Sequence, residues 1–124
     1  MTIVIQNNAE GDMLEYFVNK AAPQNLILRL FQSNTTPAET DNTATYTEAT
    51  WTGYAAITLT GASWGAPSEG APSSIAYAQQ TFTSTAGSQN QSNYGYFYTR
   101  LTSGRIAGAE RFTDGPYVIV NNGD

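Results

Sequence analysis

Asn93–Val120 reads NYGYFYTRLTSGRIAGAERFTDGPYVIV, and the way this stretch pairs with itself decides the fold. Tyr94, Tyr96 and Tyr98 alternate with Gly95, Phe97 and Thr99, the period-2 pattern of a strand with two unlike faces. Thr102-Ser103-Gly104 is a short polar break ending in glycine, which predicts a three-residue hairpin loop with Gly104 at positive φ. That loop sets Tyr94 against Phe112, Phe97 against Ala109 and Tyr98 against Gly108, so each ring meets a small residue or another ring. A two-residue loop would shift the register by one and put these partners on opposite faces. Asp114-Gly115-Pro116 turns the chain again, and Tyr117–Val120 follows as an apolar strand.

Working outward, Thr2–Gln6 (TIVIQ) predicts a short β-branched strand or extended arm over residues 1–8. Asp12 and Glu15 form a candidate capping box ahead of Met13, Leu14, Phe17, Val18 and Ala21 at helical spacing. Pro23 stops such a helix, so the spacing predicts one helix over residues 12–21, lying as a lid on an open end of a sheet core. Asn25–Gln32 (NLILRLFQ) is apolar on both faces and predicts a central strand. Ser33–Glu48 reads as a long solvated loop punctuated by Pro37. Trp51–Thr60 reads as a strand in which Gly53 marks a bulge or a close approach of another backbone. Gly61–Ser74 is a surface loop, with Trp64 its anchor, and Ile75–Ser84 alternates like a further strand. The expectation is a single domain over residues 1–124. Residues 25–124 are expected to form an all-β antiparallel sandwich or jelly roll, joined to one short N-terminal helix.

Composition narrows function by exclusion. Only 12% of the 124 residues are charged, and solubility rests on Thr, Ser, Asn, Gln and Gly. Net charge is −5, with Lys20, Arg29, Arg100, Arg105 and Arg111 the only cations, so no basic field exists to bind a phosphate backbone. Without cysteine there is no disulfide framework or thiolate metal site, and without histidine the commonest general base and metal ligand are missing. No 18-residue apolar run predicts a membrane span. The first residues lack the basic start and cleavage site of a secretory signal, which predicts synthesis in a cytoplasm.

An enzyme built from this sequence would depend on carboxylates, and a glycosidase-like pair would have to come from Glu10, Glu39, Glu48, Glu69 and Glu110. Glu110 stands out because it sits mid-strand near Arg105 and Arg111, but a cross-strand ion pair or a hydrogen bond to Tyr96 accounts for it. Glu39, Asp41 and Glu48 offer oxygen ligands for calcium at a spacing that matches no calcium loop. No nucleophile elbow, phosphate loop or zinc spacing occurs, so neither an enzyme nor a cofactor is expected.

Four runs, Leu28–Leu59, Ile75–Thr83 (IAYAQQTFT), Tyr94–Thr99 (YGYFYT) and Ala109–Asp124 (AERFTDGPYVIVNNGD), resemble small virion proteins of tailed bacteriophages, including those of cyanobacteria. The resemblance covers nearly everything after Pro23 and consists of strand-and-turn signatures. It implies a capsid decoration or cement protein, a small β-sandwich or jelly roll that often sits as a homotrimer on the outer shell. The implied partners are the major capsid protein and other copies of the chain, with no nucleic acid and no membrane. The implied location is the outer capsid surface of the virion. In that family NNGD is followed by one more strand, so either this sequence omits the strand or a neighbouring subunit supplies the pairing. Thr2, Ile3, Val4, Ile5 and Gln6 are the candidate partner contacts, an arm able to add a strand to a neighbour. The alternative implied role is a tail or baseplate component touching host glycans through exposed tyrosines such as Tyr46 or Tyr54.

Overall fold

The computed structural model describes residues 3–124. It contains antiparallel strands and one short helix: α1 (Asn7–Phe17), β1 (Leu26–Phe31), β2 (Ile57–Leu59), β3 (Gln91–Asn93), β4 (Gly95–Arg100), β5 (Ile106–Arg111) and β6 (Tyr117–Ile119). A four-stranded sheet runs in the order β2-β1-β4-β5, and β3 pairs with β6 in a separate two-stranded sheet. The apolar β1 is central, as its two-sided hydrophobicity requires.

The β4–β5 hairpin has the expected register: Phe97 faces Ala109, Tyr98 faces Gly108, and Phe112 N–H donates to the Tyr94 carbonyl at 2.9 Å. Gly104 sits at φ +69. The loop differs from the expected one. Arg100 N–H bonds the Arg105 carbonyl at 2.9 Å, so Leu101–Gly104 form the loop. A bulge follows, and Thr99 pairs with Ile106 while Tyr98 pairs with Gly108. The extra residue absorbs the longer loop and restores the register set by side-chain size.

Pairing fixes two faces. Phe31, Phe97, Ile106 and Ala109 point to one, and Tyr46 closes over them from the 33–48 connection. The Tyr46 ring stacks on Phe97 at 5.3 Å and tilts against Phe31 at 5.0 Å. The 33–48 segment is therefore core cover and more than a solvated loop. A 3-10 turn at Thr43–Thr45, closed by an Asn42–Thr45 capping box, aims Tyr46 inward. The chain then returns alongside β1, where Ala49 N–H bonds the Leu30 carbonyl at 2.9 Å.

The helix corrects two expectations. It spans Asn7–Phe17 rather than 12–21, and Asp12 is mid-helix, where its carboxylate pairs with Arg100 at 2.7 Å and Arg105 at 3.1 Å. The helix ends before Pro23 because Asn19 adopts φ +58. Lys20 N–H bonds Glu15 O at 2.9 Å and Asn19 N–H bonds Tyr16 O at 3.2 Å, the double closure of a left-handed C-terminal cap. Its buried residue is Ala9, whereas Met13, Leu14, Phe17 and Val18 are exposed, so the apolar stripe is no lid.

Ile75–Ser84 forms no ladder, another departure from the alternation in its sequence. Gln80 Nε2 bonds the carbonyls of Ala78 and Gln79, holding the local backbone by side-chain contacts instead. Aromatic contacts attach the segment: Tyr77 meets Trp64 edge-on at 5.1 Å, and Phe82 stacks on Tyr54 at 5.7 Å. Gly53, at φ +96, is the close-approach point its sequence position suggests. A Cβ there would lie 2.7 Å from the Thr85 nitrogen.

Candidate binding surfaces

The second face of the main sheet carries Leu26, Leu28 and Leu30 from β1, Ile57 and Leu59 from β2, and Tyr96, Tyr98 and Arg100 from β4. Strand alternation puts these apolar residues on the side away from the Phe31 core. Leu26, Leu59, Tyr98 and Arg100 floor a groove of about 640 Å³, walled by Ile3, Ile5 and Trp64 with Met13 and Tyr16 of α1 at its lip. A second recess of about 240 Å³ continues over Leu28 and Leu30 between Phe82, Tyr96 and Phe112.

Of the arm predicted to contact a partner, Thr2 lies outside the described residues. Val4 pairs with Ala109 of its own β5, donating at 2.7 Å and accepting at 3.0 Å. Gly108 makes room for this, because a Cβ there would lie 3.2 Å from Ile3 Cδ1 and 3.4 Å from Ile5 Cδ1. Gln6, the N-cap residue of α1, is buried and donates from Nε2 to the Tyr46 hydroxyl at 3.5 Å. In an antiparallel pair alternate residues direct their main-chain groups to opposite sides, so those of Ile3 and Ile5 face outward from β5. Neither makes a main-chain hydrogen bond among the described residues.

The cations are engaged within the chain. Arg29 donates from Nη1 to both oxygens of Glu48, at 2.9 and 2.8 Å, and from Nε to Thr99 at 3.0 Å. Arg111 donates to Thr35 O at 3.0 Å and Asn34 Oδ1 at 2.7 Å, lies over the Tyr94 ring, and leaves Glu110 without it. Glu110 instead accepts from the Tyr96 hydroxyl. Among the described residues no cluster of three or more His, Cys, Asp or Glu could hold a metal ion. Nor is any described helix long and apolar enough to cross a membrane.

Tyr46 and Tyr54, proposed as exposed sugar contacts, are withdrawn from solvent. Tyr46 is buried and donates to Asp41 at 2.7 Å. Tyr54 is half-buried, donating to Glu48 at 2.8 Å and accepting from Leu30 N–H at 3.1 Å. Burial, reinforced by a carboxylate at the hydroxyl, raises the pKa of Tyr46, Tyr54 and Tyr96 well above the ordinary phenol value. The folded state thus favours the neutral phenols. The stability they confer is complete below the unfolded pKa of about 10 and is lost as pH rises from there toward the folded values. In an alkaline titration, these three of the eight tyrosines are expected to ionise only as the chain unfolds. The late tyrosinate absorbance should coincide with loss of far-ultraviolet dichroism. A single smooth ionisation of all the tyrosines with the dichroism intact would refute the burial.

Comparison with family models, curated proteins and solved structures finds no match for this chain.

Proposed function

We propose that this chain is a non-enzymatic structural protein of a bacteriophage virion. In this reading it is a decoration or cement protein that binds the outer surface of the major capsid shell and stabilises it. The supporting sequence signatures are the strand-and-turn runs after Pro23. The observation that carries the reading is how the surface is divided. All five cations are engaged within the chain, while an apolar groove and an apolar helix face are open to solvent. Such a surface suits contacts completed by assembly rather than recognition of a charged ligand. On this reading the two sheets belong to an open sandwich of the jelly-roll kind, and copies meet as a homotrimer around shell positions. The arm contributes the outward main chain of Ile3 and Ile5, to which a strand of the capsid protein adds.

A tail or baseplate protein binding host glycans would need open aromatic platforms, and Tyr46 and Tyr54 do not supply them. The deciding experiment is the copy number of this chain per purified particle by quantitative mass spectrometry. A fixed ratio to the major capsid protein supports the shell assignment. A count matching tail proteins moves the chain to the tail, and absence from particles discards the virion reading.

A further inference from the structure

We infer that the exposed face of α1 is a self-association surface, on which a second copy of the chain packs its own α1 antiparallel about a two-fold axis through Leu14. Leu14, Phe17 and Val18 are 68%, 89% and 67% exposed, more than the other exposed large apolar side chains, such as Ile75, Leu101 and Val118, none of which exceeds 53%. Asn7, Gly11, Leu14 and Val18 recur at spacings of four, three and four along this face, the seam spacing of paired helices.

Gly11 is the independent clue. Glycine is a poor residue for the interior of a helix, and nothing in the monomer calls for it. A Cβ at Gly11 would meet no atom within 4 Å. With two helices antiparallel and crossing at Leu14, Phe17 of each copy lies over Gly11 of the other, where the missing side chain admits the ring.

Charge and area also select a second copy. Antiparallel packing brings Glu10, in the first turn, toward the partner subunit's Lys20, just beyond its helix, and opposes the two helix dipoles. Leu14, Phe17 and Val18 expose on the order of 400 Å² per copy, so a pair would bury at most about 800 Å², the size of a weak, reversible contact. The four arginines are held within the chain, whereas Lys20 has only an exposed 3.1 Å pair with Glu15 and can exchange it for Glu10 of the second copy. The contact is two-fold and therefore distinct from the threefold arrangement proposed above. It does not rest on the virion reading.

The chain has no cysteine, so a single introduced thiol tests the register. Oxidised Leu14→Cys is expected to crosslink to a dimer, because the axis sets the two thiols face to face. Ser103→Cys, on the exposed hairpin loop, is expected to stay monomeric under the same treatment. Sedimentation equilibrium of the unmodified chain up to about 1 mM should show a dimer. Leu14→Gln and Gly11→Gln should each raise the dissociation constant at least about tenfold, with far-ultraviolet dichroism unchanged. A monomer throughout this range, or equal crosslinking at the two positions, overturns the proposal. A monomer whose Leu14→Gln form also loses capsid binding assigns the face to the shell, which equally overturns it.

Discussion

Gly95→Ala is expected to lower the stability of the fold by roughly 4 kcal/mol or more, a diagnostic size for one added methyl group. Strand propensity alone gives the opposite sign, since glycine weakens a strand interior. Here the space is already filled. Gly95 opens β4, is buried, and pairs with Phe31 on one side and Arg111 on the other. An ideal Cβ would overlap the Glu110 carbonyl oxygen and sit 2.5 Å from Cζ and 2.7 Å from Cε1 of Phe31. Neither neighbour can retreat. The Glu110 carbonyl belongs to the backbone of β5, and Phe31 is fully buried against Tyr46 and Phe97. Overpacking that neighbours can absorb costs about 1–3 kcal/mol, so a site bounded by backbone and a locked ring lies above that range. Gly104→Ala is the control: its φ of +69 is unfavourable for alanine, but no atom lies within 4 Å of a Cβ there. Its cost is expected to be about 1 kcal/mol, from backbone strain alone. Urea unfolding should show a much lower midpoint for Gly95→Ala at unchanged slope. Equal midpoints for the two variants would mean that Phe31 does not lie across Gly95, and the β1–β4 register would have to be redrawn.

The same residue shows what the sequence makes legible. In Tyr94–Thr99 the tyrosines alternate with Gly95, Phe97 and Thr99, and the partners they demand lie just across the turn, so pairing follows from local pattern and side-chain size. Near the turn this failed by one residue, because the loop length depends on which pair closes it, and the bulge conceals the difference further along. The stripe Met13, Leu14, Phe17 and Val18 was legible as helical but not as exposed. Periodicity reports that a face is apolar, not what covers it. Tyr46 was lost in the composition of its loop, since one inward ring among hydroxyls leaves no periodic trace. Ile75–Ser84 alternates without finding a ladder partner, and its place is set by Trp64 and Tyr54 and by single main-chain bonds to Gly65, Gly123 and Asp124, none of which the alternation announces. The Asp12 assignment failed for a related reason. The capping motif is local, but the cations that claim Asp12 arrive from the far hairpin.

That ion pair leads to the second large expected effect. Arg100 is 3% exposed, with Nη1 2.7 Å from Asp12 Oδ2 and 2.8 Å from the Ile106 carbonyl, while Asp12 is 16% exposed and also meets Arg105. Asp12→Asn removes the counter-charge but leaves the guanidinium in place, so a buried cation keeps only neutral acceptors. The expected cost is about 3 kcal/mol, within the range for breaking a buried pair. Arg100→Met should cost less, because Asp12 is more exposed and retains Arg105 at 3.1 Å, while the methionine chain fills part of the space. The double variant should lie well short of the sum of the singles, since the second substitution removes the charge that the first left stranded. Salt should weaken the coupling only slightly, as the pair is largely shielded from counter-ions. Urea unfolding of the four proteins at low and high salt would measure this. Additive losses would mean that the charges are not coupled, leaving Ala9 and Gln6 to hold α1 against the sheet. A coupling of the expected size would mean that the Asp12–Arg100 pair ties α1, which presents Leu14 and Phe17 to solvent, to β4. Asp12→Asn would then disturb any contact made by that face, though Asp12 lies outside it.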